Sequence, residues 1–152
     1  MDEAEALMEE HPDSALTILN TVNKNFLGPE SDKARYALLM SIALDKNYID
    51  TTEFDVLQPA IDYYLSHGTP DERLKTYYCQ SIVYVNRNHP DSAMKSLLKG
   101  LEMRNNIKDT LALANLISVR GVIQFSSYAF EDFTRSSLDA MELYHAIGHK
   151  DY

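Results

Sequence analysis

The sequence is poor in the residues that interrupt or cross-link a chain. Its 152 residues include five glycines, five prolines and one cysteine. The single cysteine, Cys79, excludes an internal disulfide and any metal site that needs several cysteines. Because glycine and proline most often end regular structure, their scarcity leaves long uninterrupted segments, which favour helices over many short strands.

Basic residues are also in the minority, which limits the partners that the chain can bind. The sequence has 14 lysines and arginines against 23 aspartates and glutamates, for a net charge of -9. Nucleic acids and anionic lipids are recognised through basic patches, so we expect neither as a partner. The acidic residues are spread along the chain and indicate a solvated surface, with a basic or neutral partner as a second inference.

Long apolar runs are missing as well, and the first residues do not predict an export signal. No stretch is apolar enough to cross a membrane, so we expect no direct membrane insertion. The N-terminal segment is acidic and helical in pattern, unlike a signal peptide. The sequence begins inside a helical pattern and stops at Tyr152 without a helix cap, so we expect it to be a fragment of a longer protein.

The features that are present occur in repeats. The pentapeptide HPDSA begins at His11 and again at His89, and a helical apolar pattern follows each copy. This separation is about twice the length of known helical repeat units. Helix signals divide the chain into eight segments with short connections, which predict antiparallel neighbours. We therefore predict an all-α fold, an α-α superhelix of about four stacked helical hairpins forming a single domain over 1–152, with units near 1–28, 29–68, 69–107 and 108–148.

Capping signals set the predicted helix boundaries. Residues 69–72 form a capping box with proline at the first helical position. We also expect Ser31 to cap the third helix, Thr52 to open the fourth and Asp109 to cap the seventh. The predicted helices cover approximately 2–9, 13–25, 31–47, 52–67, 70–87, 91–104, 109–127 and 130–147.

The third unit carries a recognisable motif. It contains YxxxSxxY at 77–84 and AxxxLxxG at 93–100, which resembles the pattern of tetratricopeptide repeats (TPRs). Small residues in this pattern let two helices approach, and large residues fill the gap between pairs. The other units match in part, with Tyr36 in the second and Gly121 in the fourth. Their alignment gives spacings near 37, 41 and 40, so a HEAT-like repeat, with a period near 40, is the alternative architecture.

The opening segment has a second resemblance. The sequence LMEEHPDSALTILNTV at 7–22 is similar to the start of TPR regions in Bacteroidetes-type bacterial proteins. There the region commonly follows an export signal and precedes a transmembrane helix with a regulatory output domain. The resemblance implies an extracytoplasmic, periplasmic domain of an exported or membrane-anchored protein, with a cytoplasmic location as the alternative.

Motifs for catalysis are missing. The sequence has no GxGxxG, Walker loop, GxSxG or HExxH, so we expect no catalytic, cofactor-binding or metal-binding residues. His145 and His149 are the strongest metal candidates, but a helix end between them favours two solvent-facing histidines. Cys79 has no histidine in helical register to activate it, so we expect a packed or groove-facing thiol.

The resemblance to TPRs implies where a partner binds, because the first helix of each unit lines a concave groove in that family. Aromatic and apolar residues with asparagine, serine and lysine at the edges suit a peptide. The positions assigned to the second unit are Ala34, Ala37, Ser41, Leu44 and Asp45. The third and fourth units supply Lys75, Tyr78, Ile82, Val85, Asn86, Asn115, Ser118, Val122, Phe125 and Ser126.

These observations predict a non-catalytic protein- or peptide-binding scaffold, or a sensor module, within a larger bacterial protein. The basic cluster with which TPR domains grip acidic C-terminal tails is missing apart from Lys75, so we expect no such partner. A structural spacer without a specific ligand is the alternative, and an enzyme with an unrecognised site is a third hypothesis. Uncapped ends would expose Leu138, Met141 and Tyr144 and permit self-association.

Overall fold

The computed structural model describes residues 1–148, which form eight α-helices, two short 3₁₀ helices and no β-strand. The all-α prediction is therefore confirmed. The 3₁₀ helices, Lys24–Phe26 and Arg104–Asn106, follow the second and sixth α-helices. The α-helices are α1 (Asp2–Leu7), α2 (Pro12–Thr21), α3 (Glu30–Lys46), α4 (Gln58–His67), α5 (Pro70–Asn86), α6 (Pro90–Leu101), α7 (Thr110–Ser126) and α8 (Phe130–Ala146).

Neighbouring helices pack in pairs. The most extensive contacts join α1 with α2, α3 with α4, α5 with α6 and α7 with α8. Further contacts join α3 to α5 and α5 to α7, so the first helices of successive pairs lie side by side. Among residues 1–148, no helix is both long and apolar enough to cross a bilayer.

The first helices repeat with a strict period. Each of α3, α5 and α7 has 17 residues, and their first residues, Glu30, Pro70 and Thr110, lie 40 positions apart. The sequence alignment placed the second and third units 41 residues apart, which is wrong by one residue. On an α-helix one residue corresponds to about 100° of rotation, so this error changes which side chains share a face.

The turn after each of these helices repeats with the same period. Tyr48, Asn88 and Tyr128 adopt left-handed backbone with φ of 57°, 59° and 61°. In each turn, the next amide donates to the carbonyl oxygen five residues earlier in the chain. This Schellman-type ending satisfies carbonyl groups that a helix end leaves free.

Buried apolar residues form a core along the stack. One cluster joins α1, α2 and α3, a second joins α3, α4 and α5, and a third joins α5 to α8. Ser81 and Ala93, the small residues of the third-unit motif, are fully buried. At Gly100, α6 lies close to α7, because a Cβ atom there would lie 2.7 Å from Cδ1 of Leu116.

Two predicted caps are confirmed and one is wrong. The Thr69 side chain accepts from the amide of Glu72, whose carboxylate accepts from the Thr69 amide at 2.7 Å. Asp109 accepts from the Ala112 amide at 2.9 Å. Ser31 does not cap α3, because that helix begins at Glu30 after Pro29.

The fourth helix begins later than Thr52, at Gln58, and an irregular loop precedes it. The end of α5 holds this loop in place. The Asn86 amide donates to the carbonyl oxygen of Thr51 at 3.0 Å, and Arg87 donates to that of Thr52. These side chains replace the backbone bonds that a longer α4 would have made. The predicted helices α2 and α6 also end earlier, and 3₁₀ turns follow them.

Candidate functional site

The first helices of all four pairs surround one cavity of about 340 Å³. We call it the inner groove; its lining comes from α1, α3, α5, α7 and the residues at their ends, together with Tyr64 of α4. The apolar part of the lining includes Leu38 and Ile42 of α3 and Leu111 of α7. Such a mixture of apolar surface and polar edges is typical of binding sites.

Charged residues border the inner groove in ion pairs that link successive helices. Arg35 contacts Glu5 at 2.5 Å, which joins α3 to α1. Lys75 contacts the Asp109 carboxylate at 2.7 Å, which joins α5 to the start of α7. These pairs link α1 to α3 and α5 to α7 along the border of the inner groove.

The pKa of Asp109 shows how these contacts oppose desolvation. Burial raises the pKa of this carboxyl group, but hydrogen bonds from Lys75 and from the Ala112 amide outweigh burial and hold the pKa below its ordinary value. The carboxylate therefore stays charged while it caps α7 and pairs with Lys75.

Tyr78 and Asp45 form a further contact between first helices. The Tyr78 hydroxyl donates to Oδ2 of Asp45 at 2.7 Å, which connects α5 to α3. Burial and the negative charge of Asp45 raise the pKa of Tyr78. The phenol therefore stays protonated and remains a hydrogen-bond donor.

A second cavity of about 510 Å³ adjoins the inner groove. We call it the side cavity; α7 and α8 supply most of its lining, and Leu111 and Asn115 border both spaces. The Tyr144 hydroxyl donates to Oδ1 of Asn115 at 2.7 Å and lies 3.2 Å from Oγ of Ser118. Together, the two cavities offer an elongated binding surface along α7.

Several residues predicted for the groove border these cavities. Asp45, Lys75, Tyr78 and Asn115 line the inner groove. Asn115, Ser118 and Val122 line the side cavity. The structure therefore divides Asn115, Ser118 and Val122 of α7 between two adjoining spaces instead of one.

The other predicted residues line neither cavity. Ile82 and Val85 are half-buried, and the Asn86 amide is engaged by the loop before α4. Phe125 is 54% exposed and packs edge to face on Phe133 at 5.2 Å and on Phe130 at 5.7 Å.

In the second unit, the one-residue alignment error placed most of the predicted residues away from the inner groove, and Asp45 alone among the five lines it. Ala34 and Ala37 are buried in the core and not available to a ligand. The residues of α3 that border the inner groove include Arg35, Leu38 and Ile42. Each lies 40 positions before Lys75, Tyr78 and Ile82, respectively, so the helix-start spacing would have identified them.

The sequence offers one cysteine as a candidate nucleophile and a histidine pair as candidate metal ligands. Cys79 is buried, and burial together with the charge of Asp45 raises the pKa of its thiol, so the nucleophilic thiolate is disfavoured. Within residues 1–148, no three His, Cys, Asp or Glu side chains come close enough to share a metal ion. His149 of the candidate pair His145 and His149, which we expected not to bind a metal, lies outside the described residues.

Comparisons with protein-family models, with curated proteins and with solved structures give no match. The resemblance to TPRs therefore rests on the sequence motifs, and the groove is interpreted from its own geometry.

Proposed function

We propose that the chain is a non-catalytic scaffold that binds a protein or peptide segment in the inner groove. The observation that carries the proposal is the convergence of the first helices of four successive pairs on one cavity of about 340 Å³. A surface built from several repeated helices suits an extended or helical segment, which contacts each helix in turn.

Asn115 is the clearest peptide-binding candidate. It lies where the inner groove meets the side cavity, and its carbonyl oxygen accepts from Tyr144. Among the described residues, its amide nitrogen has no hydrogen-bond partner, so it is free to donate to a peptide carbonyl. The hydroxyl of Tyr144 fixes the orientation of this amide.

The architecture belongs to the same proposal. We interpret the stacked pairs as a TPR-like solenoid, supported by the 77–100 motif and by the side-by-side first helices. The resemblance of residues 7–22 supports a sensor module in a larger bacterial protein, either periplasmic or cytoplasmic.

Self-association is a secondary part of the proposal. Leu138 and Met141 of α8 are 53% and 55% exposed, as the sequence predicted. Tyr144 was expected to be exposed with them, but it is half-buried and its hydroxyl is hydrogen-bonded to Asn115. Leu138 and Met141 therefore form a smaller apolar surface than the one expected from the sequence.

The test of the proposed function uses peptides selected from a displayed random library against the wild-type protein. Their affinities are then measured for two variants at the junction of the two cavities. Asn115→Trp fills the junction, and Leu111→Ala is a milder change that shortens an apolar side chain of the lining. Leu98→Trp is the matched control, because Leu98 is 50% exposed and lines neither cavity. Melting curves establish that each variant is folded.

We expect Asn115→Trp to weaken binding roughly tenfold or more, and Leu98→Trp to leave it unchanged. Peptides that bind Asn115→Trp as tightly as the wild type would place the binding surface elsewhere. If no library peptide binds this protein more tightly than it binds an unrelated control protein, the scaffold function itself is contradicted.

A further inference from the structure

The inner groove has a marked excess of negative charge. Its lining includes six carboxylates and three basic side chains. Each basic residue already has a carboxylate partner: Arg35 with Glu5 at 2.5 Å, Lys46 with Glu9 at 2.8 Å, and Lys75 with Asp109 at 2.7 Å. An acidic ligand would have to break one of these pairs to find a cation, so the groove disfavours such a ligand.

The other three carboxylates have no cationic partner among the described residues. Asp71 accepts from the backbone amides of Lys108 and Asp109. Glu72 accepts within the capping box at Thr69. These hydrogen bonds fix the two carboxylates in position but leave their charges uncompensated.

Asp45 is the third of these carboxylates and the best placed to bind a cation. It is half-buried, and only its Oδ2 atom has a hydrogen-bond donor, the hydroxyl of Tyr78. Its Oδ1 atom has no partner in the described part of the chain. A carboxylate partly removed from water interacts more strongly with a cation than an exposed one does, and Tyr78 holds it in one orientation.

Apolar side chains lie beside this charge. Ile42 is on the same helix as Asp45, and Leu111 lines the groove from α7, and both side chains are half-buried. A ligand that fits both features carries a lysine or arginine side chain and large apolar side chains. An apolar ligand without a cation would leave the charge of Asp45 uncompensated on burial.

We propose that the inner groove selects a basic amphipathic peptide segment, whose lysine or arginine pairs with Asp45 while its apolar side chains lie on Ile42 and Leu111. This inference rests on the proposed peptide-binding function and specifies the chemistry of the ligand. Asp71 and Glu72 add attraction at longer range, so association is faster at low salt concentration.

Three labelled peptides of equal length test the inference. The first is composed of leucine, alanine and lysine in an amphipathic order, and its two counterparts carry glutamine or glutamate in place of lysine. Fluorescence anisotropy gives their affinities for the wild type, for Asp45→Asn and for Asp50→Asn. Asparagine at position 45 keeps an oxygen that can accept from Tyr78. Asp50→Asn is the matched control, because it removes the same charge from an exposed loop residue outside the groove.

We expect the lysine peptide to bind most tightly and the glutamate peptide not at all. Asp45→Asn should lower the affinity for the lysine peptide roughly tenfold and make that affinity less dependent on salt, and it should leave the affinity for the glutamine peptide unchanged. Asp50→Asn should change these affinities by less than about twofold. Equal affinities of the lysine and glutamine peptides, or an unchanged affinity in Asp45→Asn, would overturn the inference but not the proposed function. The proposed function is tested separately by the response of library-selected peptides to Asn115→Trp. Absence of binding by all three peptides would also overturn the inference.

Discussion

Gly100 and Gly121 provide a paired test of how closely the helices pack. A Cβ atom on Gly100 would lie 2.7 Å from Cδ1 of Leu116 and 3.5 Å from Cβ of Tyr77. Leu116 is fully buried, so its methyl group cannot move away without displacing its neighbours. A Cβ atom on Gly121 would lie 3.6 Å from its nearest neighbour, Cδ2 of Phe133, which is an ordinary contact distance. The packing at Gly121 is therefore looser than the small-residue motif suggested.

These distances predict opposite effects for the same substitution. Replacing glycine by alanine inside a helix stabilises it by about 0.5–1 kcal/mol. At Gly121 no steric strain opposes this gain, so we expect Gly121→Ala to raise the free energy of unfolding by up to about 1 kcal/mol. At Gly100, overpacking costs about 1–3 kcal/mol, so we expect Gly100→Ala to lower the free energy of unfolding by about 1–2 kcal/mol.

Urea unfolding followed by far-ultraviolet circular dichroism measures both free energies, and thermal melting provides a second readout. A change of 1 kcal/mol corresponds to roughly 2–4 °C in melting temperature for a chain of this size. Equal or higher stability of Gly100→Ala would show that α6 and α7 do not approach as closely as described. A marked loss of stability in Gly121→Ala would show that α8 packs more tightly against α7 than the distances indicate.

Three further predictions concern strain, pH and self-association. Tyr48 is 95% exposed and adopts left-handed backbone with φ of 57°, which asparagine tolerates better than tyrosine. Tyr48→Asn should therefore raise the free energy of unfolding in urea by about 0.5–1 kcal/mol. A lower free energy of unfolding would show that the ring makes stabilising contacts. The hydrogen bonds from Arg104 lower the pKa of Asp139 in the folded chain. These bonds therefore stabilise the fold above about pH 4, and the stabilisation is lost as the pH falls through the lowered pKa. The stability advantage of the wild type over Asp139→Asn should therefore shrink between about pH 5 and pH 3, and a constant difference would contradict this. Sedimentation should show weak, concentration-dependent association that Leu138→Glu with Met141→Glu abolishes, and a monomer at every concentration would refute it.

The helix content could be predicted because its signals are local. The capping box at Thr69 and the cap at Asp109 depend on residues three positions apart, and both form as expected. The start of α4 could not be predicted, because Thr52 is held outside the helix by Arg87 at the end of α5. That contact joins residues 35 positions apart, and no local pattern indicates it.

The orientation of α3 shows why the groove was only partly predictable. Tyr36 and Met40 are buried as the motif requires, but Ala34, Ala37 and Leu38 are buried too. A helix that is apolar over so wide a face does not show by its periodicity which side meets the next helix. The bonds from Tyr78 to Asp45 and from Tyr144 to Asn115 depend on how the pairs stack, which the sequence does not specify.

The binding of a peptide in the inner groove is the central claim, and the location of the bound peptide tests it most directly. Amide chemical-shift mapping of the labelled protein during titration with a library-selected peptide gives this location. We predict that the largest shifts fall at Ile42, Tyr78, Leu111 and Asn115, and that Leu98 on α6 is unaffected. Shifts centred on α2 and α6, with none along the inner groove, would contradict the account.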